Sequence, residues 1–432
     1  MKRSLPTRQG GSKRTVAGLA DQVLVAVTSA CTGLLATAVL APTAAGLTLY
    51  AMLVLYFVQG VGRACVGDVM LTYVARFEDP AERRRQFQNA HASIAVLSIG
   101  AMVVLLGIWL FGPKHSVADL VWGIPFVPSV LLQDLSRYTY QTQGQQAKAL
   151  VIDICWVVAQ VVSVVIALVI GLRSGGALLA AWGIGATAGA VVFYSRTRIN
   201  PLRGRPLRWL RDTRHLMGWF TATGVLGQIH TLLVGSLVKG FLTVDAFAGF
   251  RLVQTLVLQP SQSLAMALNG LLVPRSSRLA GARDTAGLRR QTRLVLGVAL
   301  GIGVVVVTAA ATLGHPVLHW YKHGQYAFVT PIAVPIAIQA WIFIMQVPFT
   351  VAVRGMHRGW SLFVQYALYS GTALAGLCIG AQSHGLIGAV WGLISGAGVG
   401  LIVQAVMFVL AYRSLIRMSM ETPQEQPVLA SS

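Results

Sequence analysis

Apolar residues along this chain come in runs of about twenty, separated by short polar or basic stretches. A helix rises about 1.5 Å per residue, so a run of about twenty crosses a hydrocarbon core about 30 Å thick. The runs predict six membrane spans in a first half, at Val16 to Leu40, Leu47 to Leu71, Ala90 to Phe111, Val117 to Leu135, Ala149 to Gly171 and Ala177 to Tyr194. After a basic stretch, Arg196 to His215, six more follow at Leu216 to Val238, Ala246 to Leu268, Leu294 to Leu313, Phe328 to Val353, Trp360 to Ile379 and Leu386 to Tyr412. At membrane depth every backbone polar group must be satisfied within the protein. Helices do this, whereas a barrel needs shorter alternating segments that the sequence lacks. The expected fold is therefore all-α and membrane-embedded, with about twelve transmembrane helices. Residues 1–195 form an N-terminal six-helix bundle, 196–215 a basic cytoplasmic linker, and 216–432 a C-terminal six-helix bundle with a short cytoplasmic tail.

The halves echo each other. Gln22 in the first span and Gln228 in the seventh are 206 residues apart. Arg84-Arg85-Gln86 and Arg289-Arg290-Gln291 follow the second span of each half at an offset of 205. Prolines break the fourth span of each half, Pro125 and Pro128 against Pro331 and Pro335, at offsets of 206 and 207. Six spans per half keep both halves in one orientation, which predicts a parallel repeat about an axis along the membrane normal. The last span carries Gly388, Gly392, Gly396 and Gly400 at four-residue spacing, with shorter versions at Gly185 and Gly189, Gly297 and Gly301, and Gly376 and Gly380. Small residues on one face let a second helix approach closely, either within the bundle or at a dimer face or moving contact. Gly396-Ala397-Gly398-Val399-Gly400 lies mid-span after no strand, so it is not a nucleotide loop.

Composition agrees with a lipid solvent: charged residues make up only 11% and the mean hydropathy is +0.67. The net charge of +21 first suggests a nucleic-acid partner. Its distribution argues otherwise, for 28 of the 34 Lys and Arg fall in the N-terminal tail, the even-numbered loops and the C-terminal tail. The odd-numbered loops hold only Lys114, Arg173, Lys239 and Lys322. By the positive-inside rule both termini face the cytoplasm of a multi-pass protein in the cytoplasmic membrane. Membrane lipids, with their anionic inner leaflet, are the expected partners, and nucleic acid is not. The basic N-terminus imitates a signal peptide, but its apolar run exceeds the about 7 to 15 residues of such a segment and reads as a retained first span. Cys31, Cys65, Cys155 and Cys378 all lie inside spans and form no disulfide framework or CxxC metal site.

Ionisable and amide side chains inside the spans are costly to bury, which makes them the candidates for function. In the N-terminal half these are Asp21, Gln22, Gln59, Arg63, Asp68 and Asp153. Arg63 and Asp68, five apart on a regular helix, point to different faces, so Arg63 is expected to pair with Asp21 of the adjacent span. It then either fixes helix packing or lines a wet cavity and meets an anionic headgroup. Asp134 sits at a span end and is set aside. Asp153, with Gln160 two turns on, is either a proton or cation site or an interfacial residue reaching the headgroups. The C-terminal half offers Gln228, His230, Arg251, Gln254 and Gln259, with Pro260 and Gln262 beside them. A proline flanked by amides fits a locally opened helix lining a polar cavity, or simple interhelical amide bonding. Arg251 lies near the outer end of its span, where it can snorkel to headgroups.

His315, His319 and His323 recur every four residues before the tenth span. Pro316 and Gly324 should interrupt any helix there, which favours an interfacial loop anchored by Trp320 and Tyr321 over a metal site. No P-loop, zincin motif, nucleophile elbow or acidic pair occurs in a loop, so no catalytic residues, metal or cofactor are expected and the chain is not an enzyme.

Asp21-Gln22, the run Arg63-Ala64-Cys65-Val66-Gly67-Asp68, Gly227-Gln228 and the stretch Phe247-Ala248-Gly249-Phe250-Arg251-Leu252-Val253-Gln254 carry a resemblance. With the topology of nearly the whole chain, they resemble the polysaccharide-exporter branch of the multidrug/oligosaccharidyl-lipid/polysaccharide superfamily. The resemblance implies two six-helix bundles around a central cavity, related by a pseudo-twofold repeat and working by alternating access. It implies a lipid-linked saccharide as cargo, whose phosphate suits Arg63, and partners in a polysaccharide assembly system. The chain lacks the two extra helices of the superfamily's lipid II flippases and has few of the membrane carboxylates that its multidrug antiporters use. A non-transporting scaffold of a polysaccharide assembly system and a cation-coupled exporter of drugs or small molecules are the alternatives.

Overall fold

The structure is a computed structural model that describes residues 31–77, 79–113, 117–197, 199–214, 218–356 and 359–421. These residues form helices, with no strand among them. In the first half, α1 is described over 31–39, α2 spans Pro42–Gly62 and continues through a wide turn, Arg63–Gly67, into Asp68–Tyr73, and α3 is Pro80–Phe111. Next come α4 (Val127–Thr142), α5 (Gln146–Val169) and α6 (Gly175–Thr197). A short helix, α7 (Pro206–Thr213), lies in the linker. In the second half, α8 is Trp219–Phe241, and α9 runs from Val244–Val253 through a wide turn, Gln254–Leu258, into Gln259–Gly281. It is followed by α10 (Thr285–Trp320) and α11 (Thr330–Gly355). The final stretch, Gly359–Glu421, is broken at His384 and Gly385 into α12 (359–383) and α13 (386–421). Gly385 adopts φ 60°, ψ −138°, a conformation only glycine takes readily, and so reverses the chain between them.

Eight helical stretches, the last containing both α12 and α13, are long and apolar enough to cross a membrane. α1, α4 and α9 bring the helices outside the linker to twelve, the number of spans expected. Val103, Val104, Val161, Val165 and Val305 stand more than half exposed on the outer faces of α3, α5 and α10. Such a belt would be a liability in water and is matched by hydrocarbon.

The repeat is visible in how the helices begin. Asp79 accepts from the backbone N–H groups of Ala81 and Glu82 at the start of α3, and Asp284, 205 residues on, accepts from Gly287 N–H at the start of α10. Each acid satisfies donors that a helix N-terminus otherwise leaves orphaned. Likewise α4 and α11 each follow a tight turn, Ile124–Phe126 and Ala327–Val329, and each carries proline in its first turn, Pro128 and Pro331. The prolines expected to break the fourth spans therefore mostly start them, where the missing N–H costs nothing. Only Pro335 and Pro348 lie inside α11.

Two expected boundaries move. α4 continues to Thr142, seven residues past Leu135, and α10 runs through Pro316 to Trp320. His315 and His319 therefore sit on a helix, their rings stacked 4.1 Å apart, and not in a loop. The glycine stripe packs α13 on α12. A Cβ at Gly392 would lie 2.1 Å from the Gly376 carbonyl group, and one at Gly388 2.1 Å from the Gly380 carbonyl oxygen. Gly297 and Gly301, in contrast, face open space on α10.

α2 carries the main contact between the halves, packing on α8 and on the first part of α9. At one end of the molecule a single apolar cluster is shared by both halves, joining Leu40, Leu49, Leu53 and Leu178 to Val238, Phe247, Val329 and Leu377. Tyr50 adds an edge contact to Phe247, a hydroxyl contact of 3.1 Å to Ser236 and a seat for the Lys239 ammonium at 3.9 Å from its ring centroid. Each half also has a cluster of its own. One is built on Met70, Phe87, Leu135 and Phe193, the other on Leu288, Ala352 and Leu415.

Candidate functional site

Arg63 opens the wide turn of α2, where the Asp68 N–H donates to the Arg63 carbonyl five residues back. Such turns insert one extra residue into the helix and concentrate at functional positions. The turn also overturns the expectation that residues 63 and 68 face apart, because a wider turn brings positions five apart toward one side. Arg63 lies eight residues from the end of the span at Leu71, about 12 Å at 1.5 Å per residue.

Asp21 and Gln22 lie outside the described residues. The partner that Arg63 does have is Asp134, which the sequence reading set aside. Arg63 Nε and Nη2 each donate to one Asp134 oxygen at 2.7 Å, a two-pronged pairing of planar groups. Asp134 is also 3.5 Å from Arg137 Nη1, one turn along α4, and Arg137 Nε is 2.8 Å from Asp153 Oδ2 on α5. Asp153 in turn accepts from Gln133 Nε2 at 2.8 Å. Asp153 is therefore buried, 1% exposed, and does not reach the headgroups as an interfacial residue would. Two cations and two anions make a neutral set, which is the condition for holding charges in a low-dielectric core. This set also explains why α4 continues past Leu135: its charged residues are buried and neutralised, not solvated.

One member of the set stays open. The Arg63 side chain keeps 36% of its surface exposed, whereas those of Asp134, Arg137 and Asp153 keep 5% or less. A cleft of about 10 Å³ beside it, room for about one water, is lined by Gln59, Arg63, Asp134 and Tyr138 among others. Tyr138 packs its ring on Gly67, where a Cβ would lie 3.2 Å from ring carbons. Asp68 is exposed on the same side, near Tyr138 and within electrostatic range of Arg354 at the end of α11. Gln59, one turn from Arg63, is 4% exposed and its Nε2 donates to no described residue.

Across the seam, Gln228 of α8 lies over Gly60, where a Cβ would fall 2.1 Å from its Cδ. Thr221 donates to the Ala64 carbonyl at 3.1 Å. Arg251 does not snorkel outward; its Nη1 donates to Gln254 at 3.1 Å and it lies beside Tyr56 of α2. Gln254 opens the wide turn of α9, and Gln259, which closes it, has a buried Oε1 that accepts from no described residue. His230 is separate: its Nδ1 meets Ser370 at 2.9 Å and its Nε2 meets Tyr369 at 3.0 Å inside the second half. The structure thus brings Gln59, Arg63, Asp68, Gln228, Arg251 and Gln254 toward one seam, leaves Gln259 at the end of the wide turn of α9, and places Asp153 and His230 in the cores on either side.

Sequence reasoning missed Gln133, Asp134, Arg137 and Tyr138. An acid and a base three apart on a helix were the available signal, obscured because the apolar run stops at them. It also missed His91, which is fully buried and bridges Tyr194 at 2.6 Å and Thr139 at 2.9 Å.

No protein-family model matches the chain, and no curated protein is similar enough in sequence to count as a relative. Solved structures do match in three dimensions. A multidrug resistance MATE family transporter of the MOP superfamily, in an inward-facing conformation, aligns with a TM-score of 0.72 and 12% identity over 95% of this chain and 100% of that one. The lipid II flippase MurJ, in an inward closed conformation, aligns at 0.69 and 11% identity over 95% and 92%. The Vibrio cholerae MATE transporter VcmN, in a bent form, aligns at 0.63 and 15% over 93% and 97%. At these identities the likeness is one of fold, and it covers both halves: this chain has the two-bundle helical fold of the MATE transporters and MurJ.

Proposed function

We propose that this protein is a carrier that moves a lipid-linked saccharide across the cytoplasmic membrane by alternately opening its two bundles to either side. The observation that carries this reading is Arg63, whose side chain is anchored by Asp134 yet keeps about a third of its surface exposed beside the seam between the halves. A phosphate headgroup entering along that seam would meet a fixed planar donor set and gain charge-assisted hydrogen bonds. In this reading the basic loops and both termini face the cytoplasm, as the positive-inside rule expects, and cargo loads from the inner leaflet. The chain supplies no chemistry of its own; it binds, shields and releases, as fits a fold shared with transporters and a flippase. Assembly with polysaccharide-synthesis proteins belongs to the same reading.

A second reading, a cation-coupled multidrug exporter, is favoured by the MATE structures and by the exposed carboxylate of Asp68. Against it, Asp134 and Asp153 are already held by arginines. The test is headgroup flipping in liposomes bearing defined polyprenyl-linked sugars, with and without ion gradients. The native protein flips them, and Arg63→Ala slows flipping at least about tenfold, the worth of one charged hydrogen bond, when rates are compared per folded protein recovered in the liposomes. Efflux of cationic drugs that depends on an ion gradient and on Asp68 would establish the second reading instead. If the native protein moves neither cargo, a non-transporting scaffold is what remains.

A further inference from the structure

The linker between the halves carries three leucines turned outward. Leu202 is 92% exposed, Leu207 81% and Leu210 53%. They cannot be turned inward, because the opposite face of α7 is already committed. Trp209 is 1% exposed and sets its ring edge-on to Tyr73 at 5.6 Å, and Thr213, one turn on, is fully buried. The Arg205 N–H donates to Asn89 Oδ1 at 2.9 Å, and Ser93 Oγ donates to the Pro206 carbonyl at 3.3 Å, fixing the entry to α7 on the side of α3. A Cβ at Gly204 would lie 2.1 Å from the Gln88 carbonyl oxygen, so this segment sits against α3 backbone.

The docking point sets the depth. Ser93 is three residues before Val96, where the exposed apolar belt of α3 begins, a rise of about 5 Å. The leucines therefore stand at the edge of the lipid-facing surface and not out in solvent. Leu207 and Leu210 share a helix face with Arg211 and Arg214, by their spacing of three and four. Arg203, Arg205, Arg211 and Arg214 are all exposed, against one acid in the segment, Asp212, which is 3.5 Å from Arg208 and 3.8 Å from Arg211. Leucines level with a lipid belt and arginines beside them form the face of an interfacial helix.

We propose that residues 201–214 dock on anionic phospholipids of the leaflet at the basic end, with Leu202, Leu207 and Leu210 in the acyl boundary and the arginines on headgroup phosphates. This fixes the first half to that leaflet and leaves the second half to move relative to it. The surface stands on the fold and on the basic end, not on the identity of the cargo.

The test uses the full chain with its four cysteines replaced by serine and Leu207→Cys carrying an environment-sensitive fluorophore, in nanodiscs of phosphatidylcholine with or without phosphatidylglycerol. With phosphatidylglycerol, spin-labelled lipid quenches the label and aqueous iodide does not. Raising salt from about 0.1 M to about 1 M shortens the screening length from about 10 Å to about 3 Å and weakens the lipid quenching severalfold. The variant R203Q/R211Q/R214Q shows the same loss at low salt. Slowed hydrogen exchange over 201–214 in the unsubstituted protein, dependent on phosphatidylglycerol, checks the result without a label. Iodide quenching in both nanodiscs would overturn the proposal by leaving the face free for a soluble protein partner. Protection from both quenchers in both nanodiscs would overturn it by showing that another part of the chain covers the face. Flipping is followed in parallel: Arg63→Ala keeps the lipid quenching, so the leaflet contact and the carrier reading fail separately.

Discussion

The two halves share one scaffold but hold their cores together by different means. Counting from the helix starts, Asp134 and Arg137 of α4 correspond to Ala337 and Ala340 of α11, both fully buried. Asp153 of α5 corresponds in the same way to Tyr366 of α12, which packs edge-on against His230. The first half is thus stitched by a neutralised set of charges and the second by apolar packing and neutral hydrogen bonds. A buried ion set tolerates the loss of a single member poorly, because it leaves an uncompensated charge. Packed backbone tolerates a methyl group poorly for a steric reason. In the first half Arg63 is the set's one open member, and in the proposed carrier it is the group that meets the cargo.

The sharpest way to break this contrast is Asp153→Ala. Arg137 then loses its 2.8 Å partner and the set its charge balance, and the loss should be about 3–5 kcal/mol, read as a fall in melting temperature in detergent. Replacing the pair together, Arg137→Met with Asp153→Leu, should recover most of that loss, which no purely steric account of the site predicts. In the second half the equivalent weak point is steric. Gly392→Val drives a side chain into the Gly376 backbone and should cost about 1–3 kcal/mol, with no rescue from a charge change. The smallest effects belong to what the halves share. Asp79→Ala and Asp284→Ala each remove a helix N-cap and should each cost about 1 kcal/mol. Unequal costs would mean that the two caps are not equivalent parts of a repeat.

Much of this architecture could be read from the sequence because the lipid solvent leaves few choices. Apolar runs of about twenty residues fix the spans, and the repeated arginine and proline positions reveal two related halves. The seam was legible too, since Gln59, Arg63, Gln228 and Arg251 are polar groups in otherwise apolar runs. Their partners were not. Reading Arg63 as one regular helical turn hid the wide turn that swings it toward α4, a feature set by backbone hydrogen bonding and not by residue type. Ending the fourth span at Leu135 put Asp134 at a boundary, because hydropathy scores each charge as solvated and cannot register its neutralisation by a residue on another helix. The interfacial alternative for Asp153 arose for the same reason, and Pro316 has less power to stop a helix at membrane depth than its usual effect suggests.

In the proposed carrier the halves move against each other along α2 and α8, and a reversible lock on that seam tests this directly. A Cβ at Gly224 would lie 3.0 Å from the Ala64 Cβ, close enough for a cystine after a small adjustment, one residue from Arg63. In a background with Cys31, Cys65, Cys155 and Cys378 replaced, Ala64→Cys with Gly224→Cys should flip cargo when reduced, stop when oxidised, and resume on addition of reductant. A protein shown to be fully cross-linked that still flips at the reduced rate would contradict the account.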